Sequence, residues 1–105
     1  MASTGETPVL DLLGTMTAAS VEASELDPRS LMLARLAALV AVDAPPVSYI
    51  VNLQVAGDVE VSADDIRGVL AAVAPIVGTS RVAAATGNIV KALAVELEVA
   101  ALEAE

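Results

Sequence analysis

Asp27-Pro28-Arg29-Ser30-Leu31-Met32-Leu33-Ala34-Arg35-Leu36-Ala37-Ala38-Leu39-Val40-Ala41-Val42-Asp43-Ala44-Pro45-Pro46 is the stretch that decides the fold. Asp27 before Pro28 is a helix start, an acidic N-cap followed by proline at the first helical position, where its missing N–H is not needed. Leu31, Met32, Leu33, Leu36, Leu39 and Val40 follow, with Arg29, Ser30 and Arg35 as the polar interruptions. Apolar side chains nearly all round predict a buried helix. Pro45-Pro46 must end it, because proline cannot continue the hydrogen-bond ladder and disfavours helical geometry in the residue before it.

The flanking sequence carries similar punctuation. Thr7-Pro8 predicts a first helix over Pro8 to Ala23, with Val9, Leu12, Leu13 and Met16 at helical spacing and Gly14 as a weak point. A third helix is expected from Pro46 to about Gly57. Ser62-Ala63-Asp64-Asp65 resembles a capping box that opens a fourth, ended or kinked near Ala74 by Pro75 and Gly78. Thr79 or Ser80 caps a fifth, long helix reaching about Leu102. Few aromatics and an Ala/Leu-rich composition also favour helix over sheet. The expectation is an all-α, single-domain bundle over residues 1–105, with residues 1–7 and the last few disordered.

Composition limits what such a bundle does. Of 105 residues, 56 % are hydrophobic and 18 % charged, against roughly 45–50 % and about 25 % in typical domains. One small core cannot hide that much apolar surface, so the remainder is expected to face partner subunits. A membrane span needs about 18 or more consecutive apolar residues. Arg35 and Asp43 flank one apolar stretch, Asn52, Gln54 and Asp58 break the next, and Pro75, Gly78 and Arg81 the third. The first residues carry Glu6 and no basic cluster, so a cytoplasmic location is the expectation.

The chain has no Cys and no His. That removes disulfides, thiolate nucleophiles, the commonest general base and the commonest transition-metal ligand, and no cofactor is expected. With 14 acidic and 5 basic residues the net charge is −9, and one Tyr with no Trp or Phe offers no stacking platform. Nucleic acid would be repelled, as would an anionic membrane surface.

Over about Leu26 to Leu97, the order of features resembles the carboxymuconolactone decarboxylase family, which includes the alkylhydroperoxidase D-like proteins. The features are Leu26-Asp27-Pro28-Arg29-Ser30 opening an Ala/Leu helix, a proline-broken turn, the acidic cap from Val61 to Ile66, and Gly78-Thr79-Ser80 before a long last helix. The resemblance implies an all-helical fold assembled as trimers or hexamers. In the peroxidase branch a Cys, a second Cys three positions later and a His four beyond that carry the chemistry. The corresponding positions here are Pro45, Ser48 and Asn52. Proline forms no disulfide, Ser48 lacks an adjacent base, and Asn52 does not exchange protons near neutral pH. Where the family often has a glutamate in the preceding helix, this chain has Leu31, Met32 and Leu33. Peroxide reduction by the cysteine mechanism is thereby excluded, and the decarboxylase branch's histidine is missing too.

Candidate sites are few. Ser48 and Asn52, four apart with Tyr49 beside them, are candidates to line a pocket at the family's site, or a hydrogen-bonded patch at an interface. Arg35, in an apolar helix, must find a carboxylate, a carbonyl or solvent. A structural pair with Asp43 or another subunit's acid is the leading reading, a ligand anion the alternative. Asp58, Glu60, Asp64 and Asp65 lack the ligand spacing of a calcium loop and read as helix capping. Gly78-Thr79-Ser80-Arg81 reads as a capped turn rather than a phosphate site. Glu96, Glu98, Glu103 and Glu105 read as a solvated flank. Two functions follow. One is a non-catalytic homo-oligomeric assembly or interaction protein that has lost the family's redox centre. The other is a small-molecule-binding protein or thiol-independent decarboxylase- or lactone-type enzyme, using an intersubunit pocket near Ser48, Tyr49 and Asn52, with Arg35 as an anchor.

Overall fold

Five helices follow one another in the computed structural model, which describes residues 7–103: α1 (Pro8–Ala23), α2 (Pro28–Ala41), α3 (Pro46–Asp58), α4 (Ala63–Val77) and α5 (Thr79–Glu103). The expected disorder of residues 1–6 and of the last two residues lies outside the described residues. Thr7 belongs to the start of α1. Its carbonyl accepts from the Asp11 N–H, and its hydroxyl donates to Asp11 Oδ1 instead of capping an amide.

Local signals open the central helices. Asp27 Oδ1 accepts from the Ser30 N–H at 2.9 Å. At α4 the capping box is complete: Ser62 Oγ accepts from the Asp65 N–H at 3.1 Å, and the Asp65 carboxylate accepts from the Ser62 N–H at 2.9 Å. Arg29 then joins Asp65 at 2.6 Å, tying the start of α2 to the start of α4.

One helix end, that of α4, differs from the sequence expectation. The third helix ends at Asp58, within a residue of the expected Gly57. It ends in a Schellman motif: the Glu60 N–H donates to the Gly57 carbonyl and the Val61 N–H to the Ala56 carbonyl, with Glu60 left-handed at φ 64°. The end of α2 is built the same way, with bonds from Asp43 to Val40 and from Ala44 to Leu39, and Asp43 at φ 56°. Gly78, at φ 90°, is the single residue between α4 and α5. Pro75 falls within the last turn of α4 and does not end it at Ala74.

The core is one stripe from each of three helices. Met32, Leu36 and Val40 of α2, Tyr49, Leu53 and Ala56 of α3, and Ala85, Ile89 and Ala92 of α5 are buried, at spacings of three or four that keep each set on one face. Alanines on α5 let it lie close against α3. Half-buried Ile66, Val69, Leu70, Val73 and Val77 of α4 pack on this core, mainly against α2. The Tyr49 hydroxyl apart, no charged or polar side chain is buried among the described residues.

The expectation that α2 is buried nearly all round is corrected. Leu31, Leu33 and Leu39 are half-buried, and Ala34 and Ala38 are exposed. At Ala38 and Leu39 the cause is α1, which leaves a groove on that side open. None of the α1 residues is buried.

Candidate functional site

Between α1, α2 and α3 lies an open groove of about 410 Å³. Leu13 and Met16 of α1 form one wall, Met32 and Arg35 of α2 the floor, and Val51 and Asn52 of α3 the other wall. The volume lies within the roughly 300–1,000 Å³ of ligand pockets.

Arg35 is positioned by α2 and spent on α1. Its Nη2 donates to the Thr17 carbonyl oxygen at 3.3 Å and to Ser20 Oγ at 3.1 Å. The Asp43 half of the leading sequence reading is corrected. Asp43 lies at the far end of α2, two turns on, whereas the last carbonyls and hydroxyls of α1 lie beside the guanidinium. Of the partners named beforehand, it is a carbonyl that is found.

Asn52 shares the groove, half-buried, and donates from Nδ2 to the Ser48 carbonyl of its own helix at 2.8 Å. Ser48 is half-buried and does not line the groove. Tyr49 points the other way. It is 0 % exposed, continues the Leu53 and Ala56 stripe into the core, and its hydroxyl has no hydrogen-bond partner among the described residues. Burial, with a smaller contribution from the Asp43 charge, raises its pKa above the ordinary tyrosine value. The structure thus brings Arg35 and Asn52 into one groove that neither Tyr49 nor Ser48 lines, with Ser48 reached only through its backbone carbonyl, which accepts from Asn52.

Pro45, where the resemblance implies a cysteine, is the N-cap of α3. Its carbonyl accepts from the Ser48 N–H at 3.1 Å. The three motif positions therefore serve the α3 backbone. Arg81, of the Gly78–Arg81 turn, donates to the Ala41 carbonyl at the C-terminal end of α2, where a cation suits the helix dipole. Asn88 donates to the Ala44 carbonyl at 3.1 Å, so two α5 side chains hold the α2–α3 corner. No group of three acidic side chains that could hold a metal ion occurs among the described residues, and no described helix is long and apolar enough to cross a membrane.

Sequence reasoning missed the exposed apolar side of α3. Val47, Val51 and Val55 are 65 %, 60 % and 44 % exposed and stand four apart, in line with the groove wall. The spacing is readable in the sequence, but nothing there says which of the two α3 stripes enters the core. The chain matches no family model, no curated protein and no solved structure.

Proposed function

We propose that this chain is a non-catalytic, homo-oligomeric assembly or interaction protein, built on a carboxymuconolactone decarboxylase-like fold that has lost its redox centre and assembled as a trimer or hexamer. One observation carries the reading: the protomer is too exposed for its size. Its accessible surface is 7047 Å², whereas a folded monomer of 10.5 kDa has about 5,400 Å². Even with the eight terminal residues outside the described range set at full extended-chain area, roughly 700 Å² of surplus remains. A standard interface buries about 800 Å² per partner. The radius of gyration agrees, at 14.9 Å against about 13 Å for a compact domain of this length.

Sedimentation or native mass measurement at micromolar concentration tests this. A multiple of the 10.5 kDa protomer is expected, and a well-behaved monomer would sink the proposal. Peroxide-consumption assays are expected to show no turnover, since there is neither thiolate nor imidazole to carry it.

The second reading, a small-molecule-binding protein, keeps one supporting observation: Arg35 and Asn52 meet in a groove of ligand size with apolar walls. It now rests on two polar anchors instead of four.

A further inference from the structure

Resting on that oligomeric reading, we infer that the groove is the seat of α1 from a second copy of the chain, so that each protomer's groove is closed only when the partner's helix lies across Met16, Arg35 and Val51. At 100° per residue, Val9, Leu10, Leu12, Leu13, Met16 and Val21 of α1 fall within about half the helix circumference. Asp11, Thr15 and Glu22 lie on the other half. The apolar half is centred on the residues that line the groove, and yet its members are 50–67 % exposed. The protomer aims an apolar helix face at its own bundle and leaves the space between them open.

The surface opposite is complementary. Val51 and Val55 line the groove and extend through Val47 into an aliphatic strip one helix long. An incoming α1 would lay its residues along this strip in the manner of a helix in a groove.

Charge selects the same occupant. In a chain of net charge −9, most approaches of one copy to another are repulsive. The groove is an exception, because Arg35 is the one charged residue among its described lining residues. The acids of α1 sit on the half turned away from the apolar face, so a second α1 enters without carboxylate meeting carboxylate. It also brings a hydroxyl and carbonyls of the kind Arg35 already engages on its own α1.

The absence of cysteine allows a direct test. Met16→Cys and Val51→Cys, each alone in a chain, are co-expressed and oxidised, so that any disulfide between the two variants must join different copies. A cross-linked pair of the two variants is expected. In a second measurement Leu13→Glu with Met16→Glu, both exposed in the protomer, should lower the sedimenting mass to that of one protomer with far-UV helicity retained. An oligomeric wild type with no such cross-link, and an unchanged mass in the double variant, overturns the inference and leaves the oligomer proposal standing. A monomeric wild type overturns both.

Discussion

Arg35 on α2 and Ser20 on α1 stand 3.1 Å apart, nitrogen to hydroxyl oxygen, and with the Thr17 carbonyl this contact is the hydrogen-bonded tie between α1 and the bundle among the described residues. A helix anchored through one side chain opens more readily than helices that share a core. Arg35→Met keeps an apolar stem and removes the donors. Amide hydrogen exchange over residues 8–23 should then accelerate at least about tenfold while α2, α3 and α5 keep their protection. Equal acceleration in all helices would show that Arg35 supports the core instead.

Tyr49 carries a hydroxyl with no hydrogen-bond partner among the described residues, in a site with no solvent contact. An unsatisfied buried polar group costs about 1–3 kcal/mol. Tyr49→Phe removes the oxygen and keeps the ring, so it should stabilise the protomer by up to about 1 kcal/mol, read from urea midpoints at unchanged slope. A loss of stability would mean that the hydroxyl has a partner in the assembled protein.

The same residue sets an alkaline limit. Its folded pKa is raised, by burial first and by Asp43 second. The stability tied to the neutral phenol is fully present below the unfolded value of about 10 and is lost as pH rises from there through the folded pKa, because the unfolded chain releases the proton first. Wild type should lose stability above about pH 10, and Tyr49→Phe should flatten that limb of the curve.

The acid limb has the opposite sign. The Ser30 amide holds the Asp27 carboxyl below its ordinary value, and the Ser62 amide, with Arg29, does the same for Asp65. Their contribution is present above the ordinary carboxylate range and lost as pH falls through the lowered folded values. Asp27→Asn keeps a capping oxygen without the titration. Thermal melts from pH 6 to pH 2 should therefore show a shallower fall for the variant than for wild type.

Glu60 and Asp43 occupy the left-handed positions of two Schellman turns, where glycine is the usual residue. Left-handed geometry costs a side-chain-bearing residue about 1–2 kcal/mol, partly offset by glycine's larger unfolded-state entropy. Glu60→Gly should stabilise by about 0.5–1 kcal/mol, and Gly78→Ala, at φ 90°, should destabilise by a similar amount or more.

Those turns also mark where the sequence stops being readable. Helix starts at Pro8, Pro28, Pro46 and Ala63 are legible because proline and capping side chains act within one turn. The ends of α2 and α3 are legible in position, near Pro45-Pro46 and Gly57, but not in geometry, since Asp43 and Glu60 carry no glycine signature and backbone bonds that only folding reveals hold the turns. Tyr49 shows the same limit at the site. Beside Ser48 and Asn52 its hydroxyl suggested a shared pocket, but its spacing to Leu53 and Ala56 places it on the core stripe. Only the packing of α3 on α5 decides between the two. The partner of Arg35 was undetermined for a related reason: Thr17 and Ser20 are brought beside it by the turn between α1 and α2.

The chain contains one Tyr and no Trp or Phe, and that ring is sealed within the core at 0 % exposure. Near-ultraviolet dichroism and intrinsic emission from this protein therefore come from a single chromophore at its centre. The molecule carries an unmixed optical gauge of core integrity, one that stays silent while α1 docks or departs and changes only when the packing of α2, α3 and α5 gives way.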